Sequence, residues 1–378
     1  MRPLLNLQET IDLYDPNIAS VFLPWACRHP KYLRSFLRLR RSYLQSEDIR
    51  KKHLNDGVKI PPFLILSVTS KCNLKCNGCY ASAAGTVSHQ QKTAKPTLEL
   101  HQWKHIIDEA REIGVFGFVV AGGEPFLYPD LVDLFTTCKS RFFVVITNGT
   151  LLKKEEYETL KKLGNIAIIV SIEGDALLTD ERRGKGVFEK AMNTLHRLNT
   201  IGVINGISVT ITRTNYNYWM KEEHIDRLIE RGIRVGIFIE HIPTTADKQD
   251  YDLMLRREER KAFRAHMLKC RETKSIYIVH SPGDEEYFGG CISAGRGFAH
   301  VTPAGDLTPC PVSNIATHNL TASTLLEALA SPLFTKIREN EHLLETEGMP
   351  CALFAHPKEV DELAQLLGAY KTDMNQKQ

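Results

Sequence analysis

The chain has 378 residues, 43% of them hydrophobic and 25% charged, which is enough for about two globular domains with a sizeable core. Its net charge of +3 is close to balance and gives no overall argument for nucleic-acid binding. No apolar run approaches the roughly 18 residues of a membrane span, and no signal peptide is visible at the start. Nine cysteines without a secretory signal favour metal ligation in a reducing compartment, so we expect a cytoplasmic protein.

Residues 1–60 form a predicted helical extension that is strongly basic. Between residues 28 and 52, nine Lys and Arg side chains face only two acidic ones, with apolar side chains such as Phe36 and Leu37 interleaved. This pattern fits a basic amphipathic surface for an acidic peptide, a nucleic acid or an anionic membrane. The alternative, which we favour because charge runs are usually solvated, is a helix whose apolar side packs on the next domain.

After Pro61 and Pro62, strand-like apolar runs alternate with helical segments. The predicted strands are residues 63–68, 116–120, 142–146, 166–170, 207–211 and 235–239. The predicted helices of this region lie near 129–138, 152–163, 187–200, 221–231 and 256–272. Continuous β-branched runs with helical crossovers indicate a parallel sheet that is covered on both faces. We therefore predict an α/β fold, a partial (β/α)6 TIM-type barrel over residues 61–280, with functional residues at the C-terminal ends of its strands.

The loop after the first strand carries three cysteines, Cys72, Cys76 and Cys79, at C-x3-C-x2-C spacing. Such a loop can wrap three thiolates around one face of a cubic iron–sulfur cluster. An all-cysteine [4Fe–4S] site needs four thiolates, so three leave one iron open to a cofactor or substrate. The alternative is a zinc loop, although zinc cysteines usually come as two C-x2-C pairs or with two histidines.

This loop, with Tyr80 directly after its last cysteine, resembles the motif of the radical S-adenosylmethionine (radical SAM) superfamily. The resemblance implies that Cys72, Cys76 and Cys79 hold a catalytic [4Fe–4S] cluster whose fourth iron is chelated by S-adenosylmethionine. It also implies reductive cleavage of that cofactor to a 5′-deoxyadenosyl radical, which abstracts hydrogen from a substrate. Tyr80 would contribute backbone groups near the adenine, and flavodoxin or ferredoxin is an expected electron donor.

The ends of the second and third strands carry motifs that match the same superfamily. Gly122, Gly123 and Glu124 belong to a Gly-Gly-Glu-Pro sequence after the second strand. The glycines would let the backbone approach the cofactor closely, and Glu124 would accept from its ammonium group. Asn148, in a Thr-Asn-Gly turn after the third strand, is a further candidate for cofactor contact, although such a tripeptide is in itself only a turn signal.

Two further candidates follow from the end of the fourth strand. Ser171 begins a segment that resembles the family's S-(I/L)-(D/E)-G motif near the ribose and methionyl part of the cofactor. Arg183 lies in a segment similar to its D-x-x-R-G-x-G turn, which implies pairing with the cofactor carboxylate. Arg182 is the neighbouring candidate, and a surface arginine is the alternative. Glu240 and His241, at the end of the sixth strand, are candidates for a proton acceptor or for structural hydrogen bonds.

Residues 281–378 form a predicted second domain with three more cysteines. Cys291, Gly305 and Cys310 give the spacing C-x13-G-x4-C, which predicts a short hairpin and is similar to the opening of SPASM and twitch domains. The position of Cys351 begins a C-x2-C pair in relatives, but here Phe354 replaces the second cysteine. The resemblance therefore implies one auxiliary iron–sulfur cluster on Cys291, Cys310 and Cys351. Its fourth ligand is open: Cys270, a non-cysteine side chain, water or substrate.

The resemblance covers roughly residues 62–355 and predicts a radical SAM enzyme. A peptide or protein substrate ranks slightly ahead of a small molecule, a cofactor precursor or a lipid. No specific nucleic acid is indicated, and contact of the basic extension with a membrane surface is not favoured. A non-catalytic electron-transfer protein or a metal-stapled binding module would explain the cysteines alone, but neither needs the motifs around Glu124 and Arg183.

Overall fold

A computed structural model of the chain describes residues 21–22, 24–87, 96–243, 248–346 and 348–373. The predicted extension over residues 1–20 and the last residues of the predicted tail, 374–378, lie outside this part.

A nine-stranded, mostly parallel sheet organises the described residues, in the order β7-β6-β5-β4-β3-β2-β1-β8-β9. The strands are β1 Phe63–Ser67, β2 Gly117–Ala121, β3 Phe142–Thr147, β4 Ile166–Ser171, β5 Ile204–Ile211, β6 Val235–Glu240, β7 Tyr277–Ser281, β8 Phe298–Val301 and β9 Leu307–Thr308. Strands β1 to β8 pair in parallel, and β9 pairs antiparallel to β8. Two further strands, β10 Ile315–Ala316 and β11 Tyr370–Lys371, form a separate antiparallel pair.

Helices connect the parallel strands and continue into the C-terminal part. Those up to β5 are α1 Leu33–Asn55, α2 Tyr80–Ala83, α3 Leu100–Glu112, α4 Leu131–Thr137, α5 Lys154–Leu160, α6 Ala176–Arg183 and α7 Val187–Ile201. The later ones are α8 Tyr216–Trp219, α9 Glu222–Glu230, α10 Lys248–Asp252, α11 Arg257–Thr273, α12 Leu325–Leu329, α13 Pro332–Glu339, α14 Ala352–Ala355 and α15 Pro357–Leu366.

The six predicted strands are present within two or three residues, and a seventh parallel strand, β7, extends the sheet. Aliphatic and aromatic side chains of the strands, such as Leu64, Phe118, Phe143 and Phe238, are fully buried. Burial of this kind stabilises a sheet that is covered on both faces. The predicted partial TIM-type α/β barrel is thereby confirmed.

Strands of the predicted second domain, residues 281–378, continue the sheet of the barrel. Strand β8 pairs with β1 in parallel, and the buried His300 on β8 bridges Ser67 Oγ and Thr308 Oγ1, each at 2.8 Å. The predicted hairpin is present as β8 and β9, and its turn contains Gly305 at φ +91°. The sequence of residues 323–338 predicts one helix, but the structure has two there, because Pro332 lacks an amide hydrogen and begins a new one.

Helix α1 contacts the barrel with a face opposite to the one we expected. Its exposed side chains include Phe36 and Leu37, with 56% and 57% of their surface accessible. Its buried face is polar: Arg50 Nη1–H donates to the carbonyl of Gly114 at 2.7 Å. The expectation that the apolar side of this helix packs on the next domain is therefore wrong for these residues. Steric access explains the reversal, since Gly114 has no side chain and admits the helix backbone at Ser46.

Over the described part of the chain, no helix is both long and apolar enough to cross a membrane.

Candidate active site

The loop between β1 and α2 places Cys72, Cys76 and Cys79 at the C-terminal edge of the sheet, all three partly buried. Two hydrogen bonds tie this loop to the end of α6. The Asn77 amide donates to the carbonyl of Arg182 at 2.9 Å, and Arg182 Nη2–H donates to the carbonyl of Gly78 at 3.1 Å. These two hydrogen bonds hold the loop through its backbone at Asn77 and Gly78. They do not involve the three thiols.

Gly122 and Gly123 pack the end of β2 directly against the cysteine loop. The Gly123 amide donates to the carbonyl of Thr69 at 2.8 Å, and a Cβ at Gly123 would lie 2.0 Å from the carbonyl oxygen of Lys71. Gly122 adopts φ +122°, where a side chain would be strained. Glycine is therefore required at both positions because the backbone after β2 lies in close contact with the backbone of the cysteine loop.

Glu124 is an internal acceptor for three donors. Its carboxylate accepts from the Phe126 amide at 3.2 Å, from the Thr147 hydroxyl at 2.6 Å and from the Asn148 amide at 2.7 Å. The side chain is almost fully buried, and this burial raises the pKa of Glu124 while the three donors oppose the shift. Contact between Glu124 and a cofactor ammonium stays a prediction, and the visible role of the carboxylate is to join β2 to β3.

Asn148 joins the turn after β3 to the cysteine loop. Its Nδ2–H donates to Asn73 Oδ1 at 2.9 Å, and Asn73 in turn donates to the hydroxyl of Thr150 at 2.9 Å. Ser171 is buried at the end of β4, where it stands in register with Ser208 of β5. Asn148 and Ser171 both remain candidates for cofactor contact.

Two arginines converge on one buried carboxylate beside the cysteines. Arg183 Nε–H and Arg182 Nη1–H each donate to Glu173 Oε1 at 2.7 Å, and only 2% of the Glu173 side chain is accessible. Burial raises the pKa of the Cys76 thiol, and the guanidiniums of Arg183 and Arg182 oppose this shift. Arg183 thus pairs with a protein carboxylate and also lies close enough to Cys76 to favour its thiolate.

Glu240 and His241 are engaged in structural contacts. Glu240 accepts from Arg260 Nε–H at 2.5 Å and lies 3.2 Å from the ring nitrogen of His280. His241 Nε2 lies 2.7 Å from a carboxylate oxygen of Asp250, and its ring packs against Gly78 of the cysteine loop. The sequence leaves a proton acceptor and structural hydrogen bonds as alternatives for Glu240 and His241, and the structure shows the hydrogen bonds.

The second group of cysteines is more deeply buried than the first. Cys291, Cys310 and Cys351 interact electrostatically with one another and are each less than 10% accessible. Cys270 belongs to a different neighbourhood, because its thiol lies 3.7 Å from His266 Nε2 and interacts with charged groups of α9 and α11. The contacts of Cys270 thus lie outside the second group of cysteines, and the fourth ligand stays open.

Two further residues lie at these sites: Tyr80, which the sequence already predicts as a cofactor contact, and Glu285, which sequence reasoning missed. Tyr80 interacts electrostatically with both Cys79 and Cys310, so it lies between the two cysteine groups. Glu285 interacts with all of the second group, Cys291, Cys310 and Cys351. A signal for Glu285 was available in its position six residues before Cys291, but an acidic residue in a loop is too common to stand out alone.

Neither cysteine group has the close spacing of a site for one metal ion. In a tetrahedral zinc site with bonds of about 2.3 Å, sulfur atoms stand roughly 3.8 Å apart. Among the residues that the structure describes, one group of three His, Cys, Asp or Glu residues has all its ligand atoms within 4.8 Å: His342, His356 and Glu359. Neither cysteine triad meets that spacing. The donor type is the feature that fits the implied group, since cysteine sulfur is the donor that iron–sulfur clusters require.

Residues 66–228 match the family described as the radical SAM superfamily. The chain is 30% identical over 224 residues to the Fe-coproporphyrin III synthase of Methanosarcina barkeri, covering 55% of each protein. It is 30% identical over 183 residues to the sporulation killing factor maturation protein SkfB of Bacillus subtilis, covering 48% of this chain and 42% of SkfB. The chain thus spans about half the length of these relatives.

A solved structure supports the fold. Streptococcus suis SuiB bound to the precursor peptide SuiA superposes with a TM-score of 0.63 at 21% identity, covering 78% of this chain and 70% of SuiB. The predicted recognition is confirmed at the level of the domain: residues 66–228 carry a radical SAM domain, and the superfamily of that description uses a [4Fe–4S] cluster and S-adenosylmethionine.

Proposed function

We propose that this chain is a radical SAM enzyme that abstracts hydrogen from a peptide or protein. The observation that carries the proposal is the convergence of three elements at one edge of the sheet. The cysteine loop after β1, the glycine turn after β2 and the arginine pair of α6 contact one another there. An electron-transfer protein would need the cysteines but not the Arg183–Glu173 pair beside them.

The chain's own residues supply binding and orientation. Cys72, Cys76 and Cys79 would hold the cluster, which with S-adenosylmethionine supplies one-electron chemistry for hydrogen abstraction. The candidates for contact with S-adenosylmethionine are Tyr80, Gly122, Gly123, Glu124, Asn148, Ser171 and Arg183. Glu173 fixes the two guanidiniums next to the thiols, so positive charge is present where the bound cluster and a substrate carboxylate would bring negative charge. Flavodoxin or ferredoxin is the proposed electron donor.

A peptide substrate is supported by helix α1. Phe36 and Leu37 share an exposed face with Arg40, and Arg34 and Arg41 flank it. A face that combines exposed apolar groups with positive charge suits an acidic amphipathic peptide. The structural neighbour SuiB was solved with its precursor peptide, which gives an example of this class of ligand on the same fold.

The second candidate is a small-molecule substrate. It is supported by the similarity to Fe-coproporphyrin III synthase, which at 30% identity is as close as SkfB. A porphyrin would not need the basic face of α1, so the two candidates predict different effects of changes on this helix.

The experiment compares substrates with the anaerobically reconstituted, reduced protein. We expect acidic precursor peptides to stimulate 5′-deoxyadenosine formation, with deuterium passing from a labelled peptide into that product. The double variant Phe36→Glu/Leu37→Glu should raise the peptide KM severalfold, while Leu54→Glu, exposed at the far end of the same helix, should not. Stimulation by iron coproporphyrin alone, unaffected by the double variant, would instead establish the small-molecule candidate.

A further inference from the structure

Two histidines and a glutamate of the C-terminal part bring their side chains to one point. His342 Nδ1 lies 3.1 Å from Glu359 Oε1, and His356 Nδ1 lies 3.7 Å from the same oxygen. The centroids of the two imidazole rings are 3.8 Å apart. Within the part of the chain that the structure describes, this is the group of His, Cys, Asp or Glu residues whose ligand atoms all lie within 4.8 Å of one another.

Hydrogen bonding accounts for only part of this arrangement. His342 Nδ1 is close enough to Glu359 for a hydrogen bond, but the 3.7 Å between His356 Nδ1 and Glu359 Oε1 is too long for one. In a tetrahedral site with metal–ligand bonds of about 2.0–2.2 Å, neighbouring ligand atoms stand roughly 3.3–3.6 Å apart. The two measured distances lie on either side of that range. The three side chains are therefore spaced like ligands around one metal ion.

The backbone fixes the positions of these ligands. His342 begins a short 3-10 turn whose next two residues are buried, and its amide donates to Asn340 Oδ1 at 3.1 Å. His356 directly precedes α15, which begins at Pro357, and Glu359 lies in the first turn of that helix. A proline at the first helical position is already in the helical conformation, so it fixes where the helix starts. Two ordered elements thus present the three side chains.

The donor set indicates which metal would bind. Two histidines and one glutamate are a ligand set of zinc enzymes, in which a water molecule takes the fourth position. The side chains of His342 and Glu359 are 52% and 41% accessible, so an ion can reach them from solvent. Glu359 pairs with the two histidines, whereas the neighbouring Asp361 pairs with Lys371. The glutamate therefore offers its negative charge to an ion at this point.

We propose that His342, His356 and Glu359 form a binding site for one Zn²⁺ ion, with water as the fourth ligand. The donors are nitrogen and oxygen, so this site is distinct from the two cysteine groups. It goes beyond the proposed function, because Zn²⁺ binding here requires neither S-adenosylmethionine nor a substrate.

The ion would hold the chain segment 342–356, which contains Cys351. Leu344, at the end of the 3-10 turn, accepts through its carbonyl from the Cys291 amide at 2.7 Å. The metal site and the second group of cysteines thus share one piece of backbone. Joining the two ends of this segment through an ion restricts its freedom to open. Bound Zn²⁺ therefore stabilises the position of Cys351 from outside the cysteine group.

The test measures Zn²⁺ binding by the full chain, reconstituted with iron and sulfide beforehand so that cluster-bound thiolates do not take up zinc. We expect His342→Ala/His356→Ala to bind one Zn²⁺ fewer per chain than the parent. Glu359→Gln, which keeps the shape of the side chain, should weaken binding by more than about tenfold. The control His105→Ala/His196→Ala removes two exposed histidines from different helices and should bind like the parent. Mg²⁺ should not compete, since it prefers oxygen ligands.

Hydrogen–deuterium exchange tests the effect on the segment 342–356. Addition of Zn²⁺ should slow amide exchange there in the parent but not in His342→Ala/His356→Ala. Equal zinc stoichiometry and affinity in the parent, the double variant and Glu359→Gln, all with the same circular dichroism, would overturn the site. Loss of one Zn²⁺ without any change in exchange would support the site and overturn its role in holding the segment. Neither result depends on 5′-deoxyadenosine formation, so failure of this site and failure of the radical chemistry are separate outcomes.

Discussion

Glu173 shows how a single buried residue organises the active site. The guanidiniums of Arg182 and Arg183 both donate to its Oε1, and its Oε2 accepts from the Thr210 amide at 3.2 Å. Arg182 also donates to the carbonyl of Gly78 in the cysteine loop. Buried charges are stable only when paired, so each member of this network depends on the others. The position of the cysteine loop therefore depends on a carboxylate that lies about 100 residues further along the chain, counted from Cys72 to Glu173.

Replacing Glu173 with glutamine should lower the free energy of unfolding by about 3 kcal/mol, because it leaves two partly buried guanidiniums without their counterion. Urea denaturation of the purified protein measures this. Glu223→Gln is the matched control, since its carboxylate is 58% exposed and its ion pairs are weak. Equal stability of the two variants would show that the arginines find other partners.

For single residues, the sequence predicts the candidate metal ligands better than it predicts the side chains that hold those ligands in place. Cys72, Cys76 and Cys79 are close in the chain, so their spacing alone specifies a site. Glu173 was visible only as part of a motif, because the contacts that give it meaning join distant segments. Pairing of Arg183 with Glu173 is likewise a property of the folded chain.

Strand β8 ties the second domain to the first through His300. This side chain is 1% accessible, and burial lowers its pKa from 6.5 to about 3. The folded protein therefore holds the ring neutral. The contribution of the neutral His300 ring to the free energy of unfolding is fully present above about pH 6.5. As the pH falls from 6.5 toward 3, the unfolded chain binds a proton that the folded chain does not, and this contribution is lost at up to about 1.4 kcal/mol per pH unit.

His300→Gln should remove this part of the acid sensitivity. We expect the variant to be less stable than the parent at pH 7 and to lose less stability between pH 6.5 and pH 5. Urea denaturation at several pH values gives both slopes, and the difference between them isolates His300 from other groups. Parallel slopes would mean that the ring is protonated in the fold or is hydrated.

The contacts of helix α1 predict which of its side chains stabilise the folded protein. Arg50→Met should lower the free energy of unfolding by about 2 kcal/mol, since it removes a buried charged hydrogen bond to the Gly114 carbonyl. Leu37→Gln should change it by less than about 0.5 kcal/mol, because that side chain is exposed. The opposite order would show that the apolar face packs on the protein after all.

This helix also marks a limit of sequence reasoning. Periodicity shows that Phe36, Leu37 and Arg40 share one face, but it does not show which face a neighbour will cover. The parallel strands were predictable because each is buried on both sides, so no choice of face arises. The break at Pro332 was visible in the sequence, and the continuous helix predicted there gave too little weight to that proline.

At the scale of the whole molecule, one sheet carries both cysteine groups. Strand β1 leads into the first cysteine loop and pairs with β8, which leads through β9 to Cys310. Tyr80 interacts with a cysteine of each group and so lies between them.

The most direct test of the central claim is 5′-deoxyadenosine production by the anaerobically reconstituted, reduced protein, measured beside Cys76→Ala. Radical chemistry at the first cysteine group predicts product from the parent with its substrate peptide. It predicts none from the variant, which should also lack about four iron per chain while keeping the second cluster. Equal product from both proteins, or failure of the intact, reducible parent to bind S-adenosylmethionine, would contradict radical chemistry at Cys72, Cys76 and Cys79.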